Sequence, residues 1–179
     1  MSARRGGDLK FMATRLHGAN VTLRPATSAD AEALTEILSQ PEVTRFWPRY
    51  DHARVRDVLV ESSDTIVYVI LRDNEIIGSV QYVEEPAGEY RHASLDLFID
   101  RDLHGKGLGT DAVRTLVRHL VYDRGHHRIA VYPAVDNDHA IKTFSRVGFQ
   151  PVGVMRRYER AVDGTWQDCL LMDLLEEDL

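Results

Sequence analysis

Hydrophobic and polar positions follow two rhythms along this chain, and the changes between them predict its elements. From Thr65 to Leu71 the residues are mostly β-branched or aromatic, and a second apolar run covers Ile76 to Val83. Arg72-Asp73-Asn74-Glu75 between them is turn chemistry, so the two runs predict a hairpin. His92 to Ile99 predicts a further strand, in which Leu95, Leu97 and Ile99 alternate with Asp96 and Phe98. Ala31, Leu34, Ile37 and Leu38 recur at helical spacing and predict a helix from an N-cap at Ser28 to about Ser39, stopped by Pro41. A second helical stretch runs from about His52 to Glu61, with Val55, Val58 and Leu59 on one face. Ala112, Val113, Leu116, Val117, Leu120 and Val121 predict a third helix, closed by Gly125, and Asn137 to Val147 a fourth, stopped by Gly148. Short strands are expected at Val21–Arg24 and Arg128–Tyr132. A closing pair at about Val152–Arg160 and Thr165–Leu175 flanks a turn at Asp163-Gly164.

The order is therefore strand, two helices, three strands, helix, strand, helix, two strands, which describes a mixed α/β protein on one central sheet. A chain of 179 residues suits one domain with a real core, and no repeat or linker divides it. That domain is expected over residues 19–179, after a flexible tail at 1–18. The tail carries Arg4, Arg5, Lys10 and Arg15 but no apolar stretch of the kind a signal peptide needs. No apolar run reaches membrane-spanning length, so no membrane partner is expected. Cys169 is the only cysteine, which rules out an internal disulfide and suits a reducing, cytoplasmic setting. The net charge of −6 speaks against a general nucleic-acid binder and is compatible with a cationic substrate. Eight histidines are scattered, and no cysteine pairs with them, so no metal site is expected.

The candidate chemistry begins where strand gives way to helix. His104-Gly105-Lys106-Gly107-Leu108-Gly109-Thr110 places glycines at 105, 107 and 109, just before the third helix. Without a Cβ, such a loop lets backbone N–H groups approach a ligand, and those groups join the positive end of a helix dipole. The result is an anion cradle suited to a diphosphate. The loop is not a Walker A motif, which needs a Gly-Lys-Ser/Thr ending. It is not the Gly-x-Gly-x-x-Gly dinucleotide fingerprint either, because the spacing here is Gly-x-Gly-x-Gly. A glycine-rich turn that merely connects strand to helix remains the competing reading of the loop alone.

These residues resemble the acyl-CoA diphosphate loop of GNAT acetyltransferases, Gln/Arg-x-x-Gly-x-Gly/Ala. A second block, Asn137-Asp138-His139-Ala140-Ile141-Lys142-Thr143-Phe144 with Gly148-Phe149, is similar to the family's Asn-x-x-Ala-x-x-x-Tyr followed by Gly-Phe. The likeness covers about Val21 to Leu175. It implies the GNAT fold, a mixed but mostly antiparallel sheet of about seven strands flanked by about four helices, and acetyl-CoA as cofactor. By the same resemblance, acetyl-CoA would be held by Leu97, Phe98, Ile99, His104 to Thr110 (Lys106 and Leu108 included), Asn137, Ala140, Lys142 and Phe144. Two positions depart from the family: His104 stands for Gln/Arg, and Phe144 for the tyrosine that serves as general acid. A phenyl ring has no proton to give, so acid catalysis from that position is excluded.

Within the superfamily the segments Leu23-Arg24-Pro25, Arg45-Phe46-Trp47, Ser94 to Ile99 and Asp168 to Met172 resemble aminoglycoside 6'-N-acetyltransferases. Arg156-Arg157-Tyr158-Glu159-Arg160 with Gly164 to Asp168 is equally similar to acetyltransferases of protein N-termini. Asp96 is the candidate catalytic residue. Aspartate is disfavoured in strands, and the resemblance implies that this one faces the acceptor amine and takes its proton. The competing reading is a solvent-facing carboxylate. Trp47, Tyr50, Glu84, Asp96 and Asp168 are the substrate-binding candidates. Glu84, Glu85 and Glu89 would supply an acidic mouth, each in competition with a plain solvated turn. Tyr132 and Tyr158 are the remaining proton-donor candidates, in competition with packed strand tyrosines. The expected activity is transfer of acetyl from acetyl-CoA to a primary amine of a small molecule, by direct attack, in a monomer or homodimer. A protein N-terminal amine and a non-catalytic acyl-CoA-binding module are the alternatives.

Overall fold

The computed structural model describes residues 14–47, 50–60, 62 and 64–179. Its strands lie in a single sheet: β1 (Leu16–His17), β2 (Thr22–Pro25), β3 (Ile66–Arg72), β4 (Glu75–Glu84), β5 (Ala93–Ile99), β6 (Arg128–Val131), β7 (Gln150–Arg160) and β8 (Trp166–Leu175). Their spatial order is β1-β2-β3-β4-β5-β6-β8-β7. Every neighbouring pair is antiparallel except β5 and β6, which run parallel. The β3–β4 hairpin turns on Asp73 and Asn74, whose positive φ angles are what its tight connection requires.

Helices cover both faces. On one side lie α1 (Ala31–Leu38), the short α2 (Pro41–Thr44) and α3 (His52–Arg54, continuing as a wider π-type turn to Val60). Leu34, Leu38, Val43, Trp47, Val55 and Leu59 pack there against Val69, Leu71 and Phe98 of the sheet. On the other side lie α4 (Leu108–Arg118, extended by a π-type turn to Asp123) and α5 (Asp138–Val147). Their apolar stripes, Ala112, Val113, Leu116, Leu120, Phe144 and Val147, bury against Leu23, Tyr68, Ile70, Val80 and Leu95. Opposite pleats of the same strands thus feed two cores.

Three sequence expectations change. Leu16–His17, inside the expected tail, forms β1 against Thr22 and Leu23, which makes eight strands among the described residues. Residues 1–13 of that tail lie outside the described residues, as does Glu61. Pro41, expected only to stop α1, also opens α2 as its first residue, where a missing N–H costs nothing. The helical turn preceding α1, Ser28–Asp30, is capped by Thr27 instead of Ser28: Asp30 accepts the Thr27 amide at 2.7 Å and pairs with Arg24 at 2.8 Å.

Candidate functional site

Strands β5 and β6 pair only at Ala93 with Ile129 and Ser94 with Ala130, then part. The register explains what this opens. Asp100 donates its N–H to Ile77, continuing the β4–β5 ladder, and in an antiparallel ladder alternate residues turn their amides away. Leu95, Leu97 and Ile99 therefore aim their N–H and C=O groups into the widening gap beside β6. That gap opens into a cavity of about 830 Å³, lined by β5 from Leu95 to Ile99, the glycine loop, the start of α5 and the ends of β7 and β8.

The glycine loop forms the outer end. Gly105 and Gly107 have φ of 74° and 78°, a left-handed conformation that side-chain-bearing residues resist. Gly107 caps α4, whose first backbone bond runs from Asp111 N–H to Gly107 O. The amides of Leu108, Gly109 and Thr110 thus have no partner within the helix, and all three residues line the cavity. Gly109 packs closely for a different reason: a Cβ there would stand 3.3 Å from the tip of the Ile99 side chain, which would have to shift by a few tenths of an ångström. His104 Nε2 donates to Ile99 O at 2.8 Å and so ties the loop to the strand. Its ring lies 4.9 Å from that of His139, and burial holds the His139 pKa below its usual value, helped by repulsion from His104. Arg146 lines the same end.

The inner end is carboxylic and aromatic. Asp96 shares a pleat with Phe98, whose ring meets Trp47 edge-on at 5.0 Å. Asp96 is open to the cavity but enclosed by its walls. This desolvation pushes its carboxyl up to about 7, against the lowering effect of the Leu97 N–H bond at 2.8 Å and with added repulsion from Glu159. Tyr132 and Tyr158 stack at 5.5 Å. Burial, with Tyr158 beside it, raises the Tyr132 phenol above its ordinary pKa. Cys169 is buried beside Glu159, 3.6 Å from Sγ to Oε2, and burial pushes its thiol up to about 12.

Of the residues singled out in the sequence, Trp47, Asp96 to Ile99, His104, Gly105, Gly107 to Thr110, Asn137, Ala140 and Phe144 meet around this one cavity. Asn137 also caps α5, accepting the Ala140 N–H at 3.1 Å. Phe144 is buried against Phe149. Lys106 and Lys142 are exposed and do not line the cavity. Tyr50 packs beside α3 under Arg54. Three of the substrate candidates, Tyr50, Glu84 and Asp168, do not line this cavity. Glu84 points elsewhere and is committed to Arg124 at 3.0 Å and buried His126 at 2.8 Å, which hold its carboxyl down at about 2. Asp168 spends its carboxylate on the Arg157 N–H at 2.7 Å. Sequence reasoning misses His139, Arg146, Glu159, Arg160 and Trp166 as cavity residues. His139, Glu159, Arg160 and Trp166 lie inside motifs quoted from the sequence, but which side chain of a motif turns to the cavity depends on helix phase and strand register.

The model of the "Acetyltransferase (GNAT) domain" family matches residues 20–150. The chain belongs to this family. It is an acetyl-CoA-dependent N-acetyltransferase, and the cavity fits that cofactor: unpartnered amides at Leu108 to Thr110 suit its diphosphate, and the β5–β6 gap suits an extended arm. This GNAT enzyme is 26% identical over 176 residues to the uncharacterized N-acetyltransferase p20 of Bacillus licheniformis, covering 91% of this chain and 97% of that one. It is 29% identical over 171 residues to the aminoglycoside N(6')-acetyltransferase type 1 of Serratia marcescens, covering 85% of each. Among solved structures, Mycobacterium smegmatis RimJ in complex with CoA-disulfide superposes with a TM-score of 0.84 at 23% identity, covering 99% of this chain and 92% of that chain.

Proposed function

We propose that this acetyltransferase acts on a primary amine of a cationic small molecule, an aminoglycoside 6'-amine foremost, as in antibiotic resistance. One observation carries the reading: one end of the cavity presents the Asp96 carboxylate, with Glu159 beside it, on the same strand segment, Leu95 to Ile99, that borders the gap beside β6. Two acidic groups attract an ammonium, and stacked tyrosines with Trp47 and Trp166 offer flat walls to sugar rings. The likeness to the Serratia marcescens aminoglycoside enzyme supports the same choice.

When bound, acetyl-CoA supplies an activated acyl thioester. The protein's own work lies around it. The amides of Leu108 to Thr110 hold the diphosphate, and the backbone of Leu97 to Ile99 aligns the arm and offers fixed dipoles where charge develops. Asp96, with a pKa of about 7, is matched to taking the ammonium proton near neutrality. Holding both reactants in line supplies much of the remainder. Attack is direct, because the Cys169 thiol is held protonated and gives no acyl-enzyme. Phe144 gives no proton to the departing thiolate.

The test is to incubate the protein with acetyl-CoA and kanamycin or tobramycin and to follow free thiol. Release that depends on the drug is expected. Release only with peptides bearing a free N-terminus assigns the enzyme to protein α-amines, and cofactor binding without turnover on either panel removes both acceptor classes and favours the acyl-CoA-binding alternative.

A further inference from the structure

Strand β7 does not run evenly against β8. Met155 pairs with Cys169 and Glu159 with Gln167, so Arg156, Arg157 and Tyr158 share the single opposing residue Asp168. Arg157 sits at φ 51°, a left-handed conformation disfavoured for a bulky side chain. Asp168 Oδ1 accepts the Arg157 N–H at 2.7 Å and holds it there. Asp168 is itself anchored from the other edge: its carbonyl accepts the Val135 N–H, and Leu170 donates to Pro133. The bulge thus hangs from the segment that follows β6 and carries the cavity wall.

Its consequence lies in what it aims. Tyr158 and Glu159 line the cavity, Tyr158 stacked on Tyr132 and Glu159 facing Gln167 and Cys169. In a regular ladder continuing from Met155 and Cys169, Arg157 and not Glu159 would stand opposite Gln167. A cation would then replace a carboxylate close to Asp96. Bulges beside active sites re-aim side chains in this way.

We propose that Asp168 is a positioning residue of the acceptor pocket: through its carboxylate oxygen on the Arg157 amide it holds the bulge that presents Tyr158 and Glu159. This rests on reading the Asp96 end of the cavity as the acceptor side. Asp168→Ala is expected to raise KM for the amine by about tenfold while KM for acetyl-CoA and kcat stay within about twofold. Asp168→Asn keeps an acceptor oxygen without the charge and should behave as wild type. Arg157→Gly added to Asp168→Ala should recover part of the amine KM, because glycine tolerates positive φ. Hydrogen exchange at the Arg157 amide, which needs no turnover, should be slow in wild type and Asp168→Asn and fast in Asp168→Ala. If Asp168→Asn damages the amine KM as much as Asp168→Ala, the carboxylate acts by charge on the substrate and the proposal falls. It falls equally if both KM values rise together, or if the Arg157 amide is unprotected in wild type. Should wild type acetylate no amine, the acceptor reading fails, while the exchange pattern still decides whether Asp168 holds the bulge.

Discussion

Asp96 shows how one residue's surroundings set its chemistry. A carboxylate on an open sheet would titrate near 3.8, but enclosure in the cavity lifts this one to about 7. The rate of acetyl transfer should therefore climb as pH rises through about 7 and level off above it, as a kcat/KM profile would show. Asp96→Asn should lower kcat by about 100-fold and leave acetyl-CoA affinity unchanged by calorimetry. The same shift bears on stability. Because the folded pKa exceeds the unfolded one, the folded form holds its proton longer, and stability is lost as pH rises from 3.8 to about 7. Asp96→Asn removes that loss, so its Tm should exceed that of wild type at neutral and alkaline pH, with the gap closing in acid. Glu84 carries the opposite sign. Its carboxyl is held at about 2, so its contribution is present above 4.5 and lost as pH falls toward 2. Glu84→Ala strands Arg124 and buried His126 and should cost about 2 kcal/mol in a denaturant titration, with no selective effect on KM.

The elements bring such residues to the cavity by their ends. The glycine loop was legible in the sequence because its function is local: three glycines ahead of a helical stripe state both the turn and the exposed amides. Gly107→Ala forces a side chain into φ 78° and should cost about 1 kcal/mol while raising KM for acetyl-CoA and leaving KM for the amine unchanged in steady-state kinetics. Helix α5 was equally legible, from Asn137 at its cap to Gly148 at its stop. The bulge in β7 was not. An arginine in left-handed conformation has no sequence signature, and the aspartate that holds it lies across a hairpin.

At the scale of the molecule, the site exists because the sheet divides. Two cores, one under α1 to α3 and one under α4 and α5, clamp β3 to β5 from both faces while β6 leaves after two pairs. Acetyl-CoA filling that gap should bridge the halves. At about 100 times its Kd it should add roughly 2.7 kcal/mol of apparent stability, read as a higher Tm, and should slow hydrogen exchange at Leu108 to Thr110 without changing β1 to β3.

The chain by itself determined most of the elements, the glycine loop and the strand carrying Asp96, because periodicity, caps and turn chemistry act over a few neighbouring residues. Only the tertiary structure decided that Glu84 turns away to Arg124 and His126, that Glu159 and Tyr158 reach the cavity, and that β1 joins the sheet. Those outcomes depend on which strand edges meet and in what register, and such pairings are chosen by contacts between residues far apart in the chain.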